Sequence, residues 1–371
     1  MDFDFTDEQE SLRDAVARWV DKAYTFERRT GIVNQGGFDR AAYSEIAELG
    51  LTALTIPEDH GGLGMGPVEA MVVMEELGRG IVLEPLSQTL VVSAVLSQFA
   101  PDAIKQNWLP RIASGEALVV VAQQELHSRY RLDRCEAKAS KSGSGYTIDA
   151  RKSIVPAGDQ ADAWLVPAQL DGQIALFLVE RNAQGASSSG YVTQDGSRAA
   201  EVALSATPAE LVTIDGLAAL DLAMDTGIAA VCAYAVGAME KTLAVTVEYM
   251  NQRKQFGVTI ASFQALRHRV ADIKMQLELS RSMSYFASLK WHEAPAERRR
   301  AMSQAKVQIG NSMRFVGQQS VQLHGGIGVT DEYIGSHYFK SLTQLEMTWG
   351  DTLYHLGEVS DRMKDTAGVF A

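Results

Sequence analysis

The chain has 371 residues, enough for two or three domains with sizeable cores. It is 46% hydrophobic and 22% charged, an ordinary globular balance, with a formal net charge of -12. That acidity argues against nucleic acid or an anionic membrane as a partner, because both need a basic footprint. It leaves room for a few local cations that hold an anionic cofactor.

The opening Met1-Asp2-Phe3-Asp4-Phe5 is acidic and lacks the basic-then-apolar form of a signal peptide. No unbroken apolar run approaches about 18 residues, so a cytoplasmic protein without a membrane span is expected. Thr6 predicts a helix N-cap, with Gln9 completing a capping box. Leu12, Ala15, Val16, Trp19 and Val20 then follow a helical stripe. Gly50 stops a later helix, and Gly61-Gly62 makes a turn. A second long helix starts near Pro67 and carries Met71, Met74, Glu75, Glu76 and Leu77. Methionines at this spacing read as core filler.

The pattern changes near Leu118. Leu118-Val119-Val120-Val121 is a short apolar run, Gly143-Ser144-Gly145 a turn, and Tyr146, Ile148 and Ala150 alternate after it. Trp164 and Val166, the Asp171-Gly172 turn, then Ile174, Leu176 and Leu178 read as a hairpin. Ser187-Ser188-Ser189-Gly190 reads as a loop. A barrel or sandwich is expected here.

Helical spacing returns near Leu217. Phe263, Leu266, Val270, Ile273 and Leu277 form one stripe, and Ile309, Met313, Val316, Ser320 and Leu323 a second. Pro295 marks the turn between them. The expectation is a mainly α protein with an inserted β domain: an N-terminal helical domain over 1–116, a middle β domain over 117–215 and a C-terminal four-helix bundle over 216–371. Cys135 and Cys232 lie far apart and read as buried, reduced thiols. No second Cys or His stands at metal-ligand spacing, so no metal site is expected.

Two constellations carry chemistry. In the run from Gln252 to Gln264, Arg253 brings a permanent charge whose guanidinium forks onto a pyrophosphate. Phe256 would lie one turn on, on the same side of the helix. Gly257 stops the helix and admits a ligand to the backbone. Gln264 offers an amide to a ring or ribose edge. The competing reading is a solvated Arg beside a core Phe at a helix end. The second run is Gln322-Leu323-His324-Gly325-Gly326-Ile327-Gly328. Its glycines are either a flexible helix C-cap or a backbone cradle for phosphate or adenosine.

These two runs, with Leu49-Gly50-Leu51, Pro57-Glu58, Gly61-Gly62 and Glu75-Glu76-Leu77-Gly78-Arg79, resemble the acyl-CoA dehydrogenases over essentially the whole chain. The resemblance implies FAD as cofactor, an acyl-CoA substrate, dimers or tetramers, and an electron-transferring flavoprotein as electron acceptor. It implies that Arg253, Phe256 and Gln264 contact the pyrophosphate and adenine side of FAD. Gln322, Gly325 and Gly326 would serve the FAD of a neighbouring subunit. In the family reaction a carboxylate takes the α proton while a hydride leaves Cβ for the flavin.

The chain departs from the family at the reacting end. The usual basic Glu before Gly-Thr aligns with Trp349 in Thr348-Trp349-Gly350-Asp351-Thr352, and Trp cannot take a proton. The family's alternative base position, at the start of the bundle's first helix, aligns with Gly227. Asp351 is then a candidate base or a helix N-cap. Asp225 is a candidate base, a helix cap or a polar contact to the CoA side of the substrate. Asp is shorter than Glu by about 1.5 Å, a misplacement that costs roughly a hundredfold in rate. At the flavin-facing positions, Gln124-Glu125-Leu126 replaces Thr-Glu-Pro and Ile154-Val155-Pro156 replaces Trp-Ile-Thr. Pro156 has no N–H to offer.

The opening Asp2-Phe3-Asp4-Phe5-Thr6-Asp7-Glu8-Gln9, the segment Tyr191-Val192-Thr193-Gln194-Asp195-Gly196 and the ending Gly350-Asp351 with His355-Leu356 resemble the small subunits of pimeloyl-CoA-type dehydrogenases. That resemblance implies an α2β2 tetramer with a larger catalytic subunit. Two functions follow. One is an FAD-dependent acyl-CoA dehydrogenase, as a homo- or hetero-oligomer. The other is a catalytically silent subunit that completes the FAD site of a partner chain.

Overall fold

The computed structural model describes residues 5–143 and 145–363. Asp2, Phe3 and Asp4 of the acidic opening and Ser144 of the predicted turn lie outside the described residues. The helices α1 (Asp7–Ala23), α2 (Phe26–Asn34), α3 (Arg40–Glu48), α4 (Pro67–Arg79), α5 (Leu86–Phe99) and α6 (Asp102–Ala113) come first. The strands β1 (Val119–Val121), β2 (Lys138–Ser142), β3 (Gly145–Pro156), β4 (Ala163–Leu170), β5 (Gln173–Glu180), β6 (Ala186–Val192) and β7 (Arg198–Thr213) follow. Then come α7 (Gly216–Gln252), a small hairpin of β8 (Lys254–Gln255) and β9 (Val258–Thr259), α8 (Gln264–Leu289), α9 (Pro295–His324), α10 (Ile334–Met347) and α11 (Thr352–Met363). Helices, a β domain and helices thus appear in the expected order.

By packing, the chain forms two compact units. One gathers Met1–Arg28, Met71–Val82 and Ile228–Ala371; the other gathers Arg29–Ala70 and Leu83–Gly227. In the second unit, β4, β2, β3, β7 and β5 pair in turn, and β5 pairs back to β4. This closes a ring, so the β domain is a barrel with β1 and β6 flanking it. Trp164, Val166, Phe177 and Ile148 fill its core. Alternation along β3 and the Asp171-Gly172 turn between β4 and β5 explain why these strands were legible. The predicted loop at Ser187–Gly190 is instead part of β6, paired along β7 from Ala186 to Val192. Its side chains stay partly or fully exposed, so backbone hydrogen bonds rather than an apolar face hold it.

The first unit is built around α9, which packs against α8, α10 and α11. The capping box at Thr6 and Gln9 starts α1, and Asp7, Glu8 and Glu10 in its first turn complement the helix dipole. Pro295 is the first residue of α9 rather than a turn residue, where its missing N–H costs nothing. Ile309, Met313, Val316, Ser320 and Leu323 are all buried. Along α8 only Ile273 and Leu277 of the predicted stripe are buried, and Phe263 is exposed. Helices α4 and α7 touch backbone to backbone. A Cβ on Gly78 would lie 2.0 Å from the Tyr234 carbonyl oxygen, and one on Gly237 would lie 1.8 Å from that of Glu75. Only glycines allow this approach.

The expectation of no membrane span rests on unbroken apolar runs, and one described helix meets a looser criterion for crossing a membrane. By length and composition α7 is long and apolar enough to cross one, with 37 residues and an 18-residue window of mean hydropathy 1.5. Asp225 and Glu240 break the unbroken run but not the average. That window is 89% buried within the protein, as a core helix would be.

Candidate functional site

The first predicted run ends α7 and turns back on itself. Phe256 does not share a helix face with Arg253, as the sequence reading had it. It sits at the tip of the β8–β9 hairpin, with Gly257 beside it. Both tip residues have positive φ, 54° at Phe256 and 82° at Gly257, the backbone a tight two-residue turn requires. The hairpin is tied to the helix end by Arg253 N–H donating to Tyr249 O at 2.8 Å and Ile260 N–H donating to Arg253 O at 2.9 Å. The Phe256 ring is 91% exposed and meets Phe263 edge-on at 6.2 Å. Arg253 and Gln264 are exposed, and among the described residues Arg253 has no ion-pair partner.

The second run ends α9. Gly325 caps the helix at φ 63° and ψ -141°, a conformation open to glycine, and residues Gly325–Val329 form a single 3-10 turn. Nothing lies within 4 Å of where a Cβ on Gly325 or Gly326 would stand, whereas one on Gly328 would lie 2.9 Å from the His324 Cβ. The cradle is therefore open on one side and packed on the other. Gln322 is exposed on the last turn of α9. His324 is buried beneath the cradle. Its Nδ1–H donates to Ser320 O at 2.8 Å, and its Nε2 accepts from the Tyr333 hydroxyl at 3.0 Å. Burial pushes its pKa down, which keeps the ring neutral.

Thr348–Thr352, the stretch expected from the resemblance to stand where the family has its base, is a tightly held turn between α10 and α11. Trp349 has φ 58° and Gly350 has φ 107°. The Lys306 ammonium donates to Leu345 O at 3.1 Å, Glu346 O at 2.8 Å and Gly350 O at 2.7 Å. Burial pushes the Lys306 pKa down to about 8. His355 donates Nε2–H to Trp349 O at 2.9 Å, and its Nδ1 accepts from Ser303 Oγ at 3.1 Å. Asp351 Oδ1 accepts from Tyr354 N–H at 2.8 Å, an N-cap bond for α11. Glu346 accepts from Thr352 N–H at 3.0 Å and from its hydroxyl at 2.7 Å. Asp225 is buried in the other unit. It does not start a helix, because α7 begins nine residues earlier at Gly216.

Sequence reasoning missed Lys306, Tyr249 and Tyr333. One signal was available for Lys306: it lies four residues after Met302 and three before Ile309, on the buried stripe of α9.

The family model for the N-terminal domain of acyl-CoA dehydrogenases matches residues 6–116, and that for the C-terminal domain matches 215–364. The chain belongs to the acyl-CoA dehydrogenase family. The acyl-CoA dehydrogenase IpdE2 of Mycobacterium tuberculosis is 30% identical, over 90% of this chain and 90% of its own length. The structure of the ChsE4–ChsE5 complex of Mycobacterium tuberculosis is similar with a TM-score of 0.90 and 26% identity, over 99% of this chain and 100% of that one. A variant of the Tcur3481–Tcur3483 steroid ACAD gives a TM-score of 0.89 and 27% identity, over 97% of this chain and 99% of that one.

Against this acyl-CoA dehydrogenase background, the donor set fits an FAD nucleotide. Among the described residues Arg253 has no ion-pair partner, as a guanidinium kept for a pyrophosphate would require, and no atom lies within 4 Å of a Cβ position on Gly325 or Gly326.

Proposed function

We propose that this chain works as one subunit of an FAD-dependent acyl-CoA dehydrogenase, and that a second, related chain supplies the carboxylate that takes the α proton. FAD, when bound, supplies the acceptor for the hydride that leaves Cβ of the acyl-CoA. Arg253 neutralises the pyrophosphate, and the Phe256 ring covers apolar parts of the nucleotide that water would otherwise meet. Gly325 and Gly326 present backbone to the FAD of the neighbouring subunit. Asp351 caps α11, and Asp225 contacts the CoA side of the substrate.

One observation carries the reading. The position aligned with the family's base holds Trp349, and the nearest carboxylate in that turn, Asp351, is engaged with the backbone of α11. The ChsE4–ChsE5 complex supports a two-chain assembly. The steroid ACAD supports a bulky, ring-bearing acyl group. An electron-transferring flavoprotein is the acceptor this reading assigns.

The test begins with the chain purified alone. Its flavin absorption is recorded, FAD is added, and straight-chain and ring-bearing acyl-CoA thioesters follow with ferrocenium as acceptor. The expected result is no substrate-dependent bleaching by the chain alone. Bleaching that persists in the Asp351→Asn variant would overturn the assignment of the base to a partner; bleaching abolished by that variant would move the base to Asp351.

A further inference from the structure

We propose that His324 is a positioning residue that joins the two cofactor-binding runs of one subunit into a single mechanical unit. The inference rests on the reading of those runs as FAD contacts, but its structural part stands without it.

The joint is made of three rings. Tyr249 lies one turn before Arg253, and its carbonyl accepts the Arg253 N–H at 2.8 Å. The Tyr249 ring packs on the His324 imidazole with centroids 4.6 Å apart. The same imidazole meets the Tyr333 ring at 5.0 Å and accepts its hydroxyl at 3.0 Å, and the Tyr333 ring stands 6.3 Å from that of Tyr249, so the three rings form a triangle. The residue after His324 is Gly325, the first of the cradle, and Gly328 folds back onto the His324 Cβ. A second tie runs alongside: the Thr246 and Ser320 hydroxyls stand 2.8 Å apart, each one turn before its partner in the ring stack.

Both ring nitrogens of His324 are used. Nδ1 donates to Ser320 O and Nε2 accepts from Tyr333, so the side chain has one neutral tautomer and one orientation. A ring held at both edges and packed on a face does not rotate to absorb strain. A shift of the cradle therefore moves Tyr249, and with it the backbone that anchors Arg253 and the β8–β9 hairpin. In the assembly implied by the family resemblance, the hairpin serves one FAD and the cradle serves its neighbour. His324 then links two flavin sites through one subunit, so that filling one prepares the other.

The deciding variant is Tyr333→Phe, which keeps the ring and removes only the hydroxyl. Tyr333 reaches Tyr249 both through His324 and through its own ring, 6.3 Å away, and Tyr333→Phe leaves the second route intact. Hydrogen exchange is measured on the full chain without added FAD. The expected result is faster exchange by about tenfold at the amides of 325–329 and also at those of 253–260, because a buried acceptor loses its donor and the joint loosens. Faster exchange confined to 325–335 would overturn the proposal. His324→Ala serves as the second variant. If it fails to give cooperative melting, Tyr333→Phe alone decides.

FAD titration separates the two layers. With FAD bound, the loss in affinity from Arg253→Ala should be smaller in the Tyr333→Phe background than in the wild type. Multiplicative, independent losses would overturn the link at the level of binding. Transmitted exchange changes in a chain that takes up no FAD, alone or with a partner subunit, would keep the joint and remove the FAD reading instead.

Discussion

The imidazole of His355 donates Nε2–H to the carbonyl of Trp349 at 2.9 Å, and so fixes the backbone at the position that the proposed reading matches with the family's base. The Lys306 ammonium holds the next carbonyl, Gly350 O, at 2.7 Å. Trp349 is thus placed by two buried side chains that touch its peptide neighbours rather than its ring.

Acid should loosen this turn. Burial first, then the Lys306 charge, pushes the His355 pKa down to about 3. An unfolded chain takes up that proton near pH 6.5. The folded pKa is depressed, so the contribution of His355 is complete above pH 6.5 and is lost as pH falls toward 3. Melting temperatures across that window should drop in the wild type and drop less in His355→Leu. At neutral pH the variant should be less stable by about 1–3 kcal/mol, because Trp349 O and the Ser303 hydroxyl lose their partner. An acid limb as steep in the variant as in the wild type would contradict this.

The opposite sign holds at Glu75. Burial, against the attraction of Arg281 and Arg13, pushes its pKa up to about 7, and its Oε1 is buried without a hydrogen-bond partner among the described residues. The folded pKa is raised, so its contribution is present below about pH 4.5 and is lost as pH rises through 7. The swing is on the order of 3 kcal/mol at most. Glu75→Gln should flatten the stability profile between pH 4.5 and 7. Denaturant midpoints taken at both ends of that range measure it; an unchanged slope would assign the titration elsewhere.

How much of this was readable in the sequence follows from how local each feature is. The Thr6–Gln9 capping box, the Asp171-Gly172 hairpin and the Ile309–Leu323 stripe need only neighbours within a few residues, and the structure has each of them. The β8–β9 hairpin was hidden because strands of two residues carry no periodicity. Strand β6 was hidden because its neighbour β7, not an apolar face, makes it a strand. Within the candidate site, Arg253 and the glycines announced themselves through residue type. Lys306 shows only as a cation on the apolar stripe of α9, and its partners, like those that join Tyr249 to the end of α9, are distant in sequence.

The two sides of the cradle should respond differently to a methyl group. At Gly326 there is open space, and its φ is not in the left-handed range. Gly326→Ala should therefore change stability by about 0.5 kcal/mol or less, yet weaken FAD binding by narrowing the open side. Gly328→Ala places a Cβ 2.9 Å from the His324 Cβ and 3.0 Å from Val321 O. It should cost about 1–3 kcal/mol through overpacking. Thermal melting without FAD, paired with FAD titration, separates the two; equal melting penalties would contradict the geometry.

A carboxylate can be placed at residue 349, the base position of the proposed reading, without moving the turn. The fixing bonds reach the carbonyls of Trp349 and Gly350, so a substitution at 349 leaves them in place. Residue 349 has φ 58°, which disfavours any L side chain, Trp and Glu alike. Trp349→Glu should accordingly fold with stability within about 1 kcal/mol of the wild type. If the Trp alone silences the chain, the FAD-loaded variant should bleach with an acyl-CoA thioester where the wild type does not. Single-turnover absorbance of wild type and variant gives the comparison. A well-folded, FAD-loaded Trp349→Glu with no bleaching would show that the missing base is not what limits this chain, and would shift attention to Gln124 and Pro156.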